Sequence, residues 1–265
     1  MRQELLFVAV IAALALGVII SPAAATTTEV HIVRYAQDGT TILNETTVDY
    51  RWMETNLPVL GDGMTHYYHQ GPTFNESDIW DAGEYQNVET RDFGAVQGTS
   101  LSALCDLVGG MNAGDTLRIT AEDGFYKNIS YETVYGTDPR KGTPGLAWYA
   151  GEESFEGDPQ GTGYVPAYYN GLRLIFFADT SSNPWGWHVF GNTDMRETLP
   201  EEEWHLYNGK WPSTSGLSVK TVSDLEIIPS SAGSAEAPAT TPAQSALSPI
   251  VIITGLLAVA CCARR

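Results

Sequence analysis

The sequence predicts a single α+β domain with a mixed β-sheet, few short helices and long loops, set between two apolar ends. Three observations carry this. Several segments alternate apolar and polar residues with period 2. Only one segment shows a strong helical spacing. The stretches between them are rich in Gly, Asp and Asn and show no period.

Taken in order, residues 29–50 read as a β-hairpin: Val30, Ile32 and the residues to Tyr35 alternate, Asp38-Gly39 turns, and a Thr/Ile/Val strand returns. Residues 50–57 form a short helix that Pro58 stops. Residues 59–97 read as a long structured loop, where binding sites tend to lie. Residues 99–108 are the clearest helix. Thr99 or Ser100 caps it, apolar residues fall at 101, 104, 105, 107 and 108, and Gly109-Gly110 ends it. Residues 115–121 alternate as a strand, Asp123-Gly124 turns, and 125–134 continue as strand and short helix. Residues 136–166 and 179–216 read as loops. Between them, the apolar run 172–178 is a buried strand, and 217–228 read as a closing strand pair.

The ends read as addresses. Residues 1–25 resemble a secretory signal peptide: Arg2, an apolar run, and Ala23-Ala24-Ala25 before Thr26 as the mature start. Residues 229–245 are a Ser/Ala/Pro/Thr stalk. Residues 246–263 are almost wholly apolar and, as a helix, span about 27 Å, at the short limit for a bilayer. Arg264-Arg265 then follows the positive-inside tendency as a cytoplasmic pair. The expected partner is therefore the membrane, and the expected location the extracytoplasmic face of the cell surface. This tail also resembles the C-terminal sorting signals of archaeal and bacterial surface proteins. Cys261-Cys262 would lie where acylation is chemically possible. Three sequons, at Asn44, Asn75 and Asn128, are candidate glycosylation sites consistent with export.

Composition excludes several classes. The chain carries 14 Lys+Arg against 32 Asp+Glu, a net charge of −18. Outside 26–228 lie only Arg2, Arg264, Arg265, Glu4 and Glu236, so that segment holds 11 basic against 30 acidic residues and carries −19. Such a surface does not bind nucleic acid, which needs clustered Lys and Arg. At 43% hydrophobic and 11% aromatic, the chain is too apolar to be disordered. Three cysteines rule out a disulfide framework.

Site chemistry centres on histidine. His66 and His69 share one side if their segment is helical, and His188 follows in an Asn/Pro/Trp-rich loop. With Asp62, and with Asp179 and Asp194 as further oxygen donors, they could hold a divalent metal such as zinc or iron. Cys105 falls on the apolar stripe of its helix and reads as a core residue rather than a nucleophile. Trp148, Tyr149, Tyr164, Tyr168, Tyr169, Trp185 and Trp187 offer either a glycan platform or, as the better account, core packing.

The order of segments also carries a family likeness. Residues 47–58, with Tyr50, the short helix and Leu57-Pro58, resemble the opening of the sulfite-oxidase-type molybdopterin-binding domain. Residues 98–105 resemble its later helix, and 115–131, with the turn Ala121-Glu122-Asp123-Gly124-Phe125, the strand that follows. Leu172-Arg173-Leu174-Ile175 and 219–228 resemble its last strands, so the likeness runs over about residues 29–228. It implies a pterin cofactor whose molybdenum is held by a Cys within 59–97, an interval that contains none. It also implies arginines for the pterin phosphate and an oxyanion, for which Arg91 and Arg173 are the nearby candidates. A charge of −19 disfavours anionic pterin and sulfite. The expected function is therefore a membrane-anchored binding or envelope module that has lost molybdopterin, in the setting of archaeal surface proteins, its ligand a small molecule, glycan or envelope protein. The alternatives are a molybdopterin-dependent extracytoplasmic oxidoreductase and a carbohydrate-binding envelope protein.

Overall fold

The computed structural model describes residues 27–230 except 82, 85–86, 154–160, 170 and 181–182. The signal segment 1–25, the stalk beyond Ser230, the apolar segment 246–263 and the terminal arginines lie outside the described residues. Among the described residues, no helix is long and apolar enough to cross a membrane.

The described chain is α+β. It contains strands β1 (Glu29–Tyr35), β2 (Ile42–Asp49), β3 (Val59–Leu60), β4 (His66–His69), β5 (Asp92–Ser100), β6 (Thr116–Ala121) and β7 (Tyr126–Ser130). After them come β8 (Thr143–Ala150), β9 (Gly163–Tyr164), β10 (Arg173–Phe177), β11 (His188–Phe190), β12 (Leu206–Tyr207), β13 (Trp211–Pro212) and β14 (Val222–Ile228). Its α-helices are α1 (Tyr50–Asn56), α2 (Leu101–Asp106), α3 (Tyr131–Tyr135) and α4 (Asn192–Thr198).

Two sheets organise these elements. The five-stranded sheet has the order β2-β1-β14-β6-β7. Its β1 and β14 run parallel, His31 beside Asp224 and Arg34 beside Ile227, so the first and last strands lie side by side inside the sheet. The seven-stranded sheet follows the path β10-β8-β5-β4-β11, with β3 added on β5 and β9 on β8. The one parallel pair along that path is β4 with β11, which sets His188 beside Tyr67.

Short helices pack on the sheets: α1, touching β2 and β5, and α3, touching β6, β7 and β8, contact both, while α2 lies against β5 and β8 of the larger one. Helices α1, α2 and α3 each begin where a polar N-cap side chain satisfies an end N–H: Asp49 accepts from Trp52 N, Ser100 from Ala103 N, and Ser130 from Thr133 N. Ile32, Met53, Leu101, Leu104, Leu117, Ile119, Leu146 and Phe176, all at or near zero exposure, form one continuous core between the sheets. Each such side chain is worth about 1.5–3 kcal/mol relative to an exposed one.

The hairpin 29–50, the first helix, the segments around 99–135 and the buried strand near 172–178 form where the periodicity predicts. Five expectations are corrected. Segment 59–97 is not a loop throughout, because it holds β3, β4 and most of β5. Segment 136–166 contains β8, and 179–216 contains β11 and α4. The expected closing pair is the single strand β14, preceded by a 3-10 turn, Thr214–Leu217. The helix expected from residue 99 starts at Leu101 because Thr99 and Ser100 complete β5. The physical reason for missing β5 and β8 is common to both: nearly every residue of each is buried, so neither alternates. Gly98 is required inside β5, since a Cβ there would meet Leu146 O at 2.5 Å and the Phe177 ring at 2.9 Å.

Candidate functional site

The structure scatters the expected metal ligands. His66 and His69 lie on a strand, where a spacing of three turns side chains to opposite faces rather than to one side. His66 Nδ1 meets Asp92 Oδ2 at 2.8 Å. His69 is fully buried, its Nδ1–H donating to Thr214 O at 3.2 Å while its Nε2 accepts from Phe176 N at 3.2 Å. Both ring nitrogens are thus spent on the backbone, and burial pushes the pKa down to about 3. Asp62 spends its carboxylate on the turn that leads into β4, accepting from Met64 N at 2.8 Å and Thr65 N at 2.6 Å. These bonds hold it below the usual carboxylate range. Asp194 accepts from Gly191 N at the start of α4. Only His188 and Asp179 come together, 3.9 Å apart. Among the described residues, no three His, Cys, Asp or Glu are arranged to hold a metal ion.

Cys105 packs in the core at zero exposure, and burial pushes its thiol up to about 12. It offers no thiolate. Of the expected aromatic platform, Trp148 and Tyr168 are fully buried, Trp148 Nε1 donating to Thr99 Oγ1 at 3.0 Å. Trp185 and Trp187 stack on each other and, with Tyr68, Val88, Val189 and Trp80, form a small separate apolar cluster. The sequon asparagines Asn44, on β2, Asn75, in a loop, and Asn128, on β7, are all exposed.

The two arginines expected of an anion site do converge. A pocket of about 100 Å³ is lined by Arg91, Asp92, Phe93, Tyr169, Arg173, Ser215 and Lys220, with Thr90 at its edge. Arg173 opens β10 and is 4% exposed. Its guanidinium lies 3.9 Å from the Phe93 ring centroid and 4.2 Å from that of Tyr169, and its Nε donates to Ser218 Oγ at 2.9 Å. This stack fixes the planar fork of donors, and burial together with the Arg91 charge pulls the Arg173 pKa down. Lys220, missed in the sequence, stands 5.2 Å over the same Tyr169 ring. Tyr169 itself holds φ at +58°, a left-handed conformation rare for an aromatic residue and found where surroundings impose it. Asp92 lines the pocket too, but its carboxylate is engaged by His66 Nδ1 and by Gly94 N at 2.7 Å. Three cations therefore converge on one small space in a chain of net charge −18.

The same observations test the pterin cofactor. Small-molecule sites usually occupy about 300–1,000 Å³, and this pocket is far smaller. Cys105, the one cysteine among the described residues, is sealed in the core. The cationic pocket therefore does not fit molybdopterin, and Cys105 offers no ligand to its metal. The sequence matches no family model, no curated protein and no solved structure.

Proposed function

We propose that this chain is an extracytoplasmic, membrane-anchored binding module on a sulfite-oxidase-like α+β scaffold, and that its ligand is a small oxyanion. The observation that carries this reading is the convergence of Arg91, Arg173 and Lys220 on one pocket of about 100 Å³. That volume equals about three waters, the scale of a carboxylate, sulfate or phosphate group. Arg173, already stacked and hydrogen-bonded, presents its donors with little further loss of side-chain freedom on binding. The expected anchor, supplied by segment 246–263, places the domain outside the membrane on its stalk. The scaffold reading rests on the order of motifs from residue 47 to residue 228.

Calorimetric titration of the full-length chain in detergent with sulfate tests the proposal. One saturable site is expected. Lys220 is exposed, so Lys220→Met leaves folding intact. Losing one charged donor weakens binding about 10- to 150-fold. Absence of any sulfate, phosphate or carboxylate binding at millimolar concentration overturns the proposal.

A further inference from the structure

A second, larger concavity lies at the other end of β10. Arg173 opens that strand beside the cationic pocket, and Phe177 closes it about 13 Å away at the usual rise per residue. There a cleft of about 440 Å³ is lined by Tyr67, Asp138, Phe177, Asp179 and His188 together with Thr143. Its size is that of a small-molecule site. From its chemistry we infer that it binds an organic ammonium ion.

The polar groups of the cleft are mainly acceptors. His188 Nδ1–H donates to Ala178 O at 2.9 Å, which in the neutral ring leaves Nε2 as an acceptor. The Asp179 side chain is 67% exposed and spends one oxygen on Thr180 N at 2.7 Å. Asp138 shares the Arg140 guanidinium with Glu197, so the one arginine nearby is already divided between two carboxylates. The wall behind these groups is aromatic: the Tyr67 ring packs edge-on against Phe177 at 5.0 Å and against His188 at 5.5 Å. Carboxylates beside aromatic rings attract an alkylammonium group twice, by charge and by the ring quadrupole. The surplus of negative charge on the chain concentrates cations at its surface. A bare metal ion is the poorer fit, since no group of three ligating residues is arranged for one among the described residues. A neutral sugar finds hydroxyls here from Tyr67 and Thr143 but no uncommitted cationic donor.

The probe is putrescine, titrated calorimetrically into the full-length chain at low salt, with Asp179→Asn and Lys220→Met as variants. Asparagine keeps the acceptor for Thr180 N, so the melting temperature should hold. One-site binding is expected in the parent chain and in Lys220→Met, and at least about 10-fold weaker binding in Asp179→Asn. Binding that survives Asp179→Asn unchanged is unspecific attraction to an acidic surface and overturns the inference. So does the absence of putrescine binding. So does a methyl glycoside or calcium ion that binds instead and is lost in Asp179→Asn.

Discussion

His69 makes the stability of this domain depend on acid in a way that can be worked out from its two hydrogen bonds. Only the neutral ring, protonated at Nδ1, can donate to Thr214 O and accept from Phe176 N together. Protonating Nε2 would set two N–H donors face to face inside a shell of Phe93, Phe176 and Phe190 rings. The folded pKa is accordingly pushed down to about 3, first by burial and then by the Arg173 charge, from 6.5 in the unfolded chain. The stability that His69 contributes is thus complete above pH 6.5. Between 6.5 and 3 the unfolded chain binds a proton that the folded chain does not. Stability then falls with a slope that approaches one proton per molecule, a loss of roughly 2 kcal/mol between pH 6.5 and 4.5.

The perturbation that isolates this effect is His69→Gln, which keeps an acceptor for Phe176 N and cannot titrate. At pH 7.5 the variant should be less stable by about 1–3 kcal/mol, because Thr214 O loses its donor. On acidification the two stability curves should converge and cross near pH 5. Urea unfolding followed by tryptophan fluorescence at pH 7.5, 6, 5 and 4.5 reads this directly. Parallel curves across that range would refute the reasoning, because they would mean that His69 takes up its proton in the folded state as readily as in the unfolded one.

Two further predictions rest on packing. Gly98→Ala drives a Cβ into Leu146 O and the Phe177 ring, and should cost about 1–3 kcal/mol, lowering the melting temperature by roughly 2–12 °C in a thermal melt. Cys105, with its thiol buried and pushed up to about 12, should resist iodoacetamide at pH 8 until denaturant is added, read by mass spectrometry of its peptide; labelling of the folded chain would place it outside the core.

Much of the fold was legible because one face of most legible elements meets water, while β10, buried along its whole length, showed as an apolar run. Residues 116–121 alternate intermediate and buried along β6, and α2 carries Leu101, Leu104 and Cys105 on one stripe. Strands β5 and β8 were hidden for the opposite reason. Buried on nearly every residue, neither alternates; β5 is interrupted by Gly94, Gln97 and Gly98, and Pro144-Gly145 and Gly151 confine the apolar run of β8 to residues 146–150, inside a Gly- and Pro-rich stretch. The paired histidines misled because β4 takes its form from pairing with β5 and with β11, the latter about 120 residues away, and local spacing alone could not choose strand over helix. Arg91 and Arg173 were picked out through the family likeness, and the fold brings them to one pocket. Lys220 carried no local signal of its own. It lines the pocket one residue before Thr221, whose φ is +48°, where the chain turns into β14.

The central claim is that Arg91, Arg173 and Lys220 form one oxyanion site. Selenate, a heavier likeness of sulfate, tests it most directly when soaked into crystals of the protein and located by anomalous diffraction at the selenium edge. The account predicts a single strong selenium peak within hydrogen-bonding reach of all three side chains, lost in Lys220→Met combined with Arg91→Gln. A pocket that stays empty while selenate binds elsewhere, or a peak unchanged in the double variant, would contradict it.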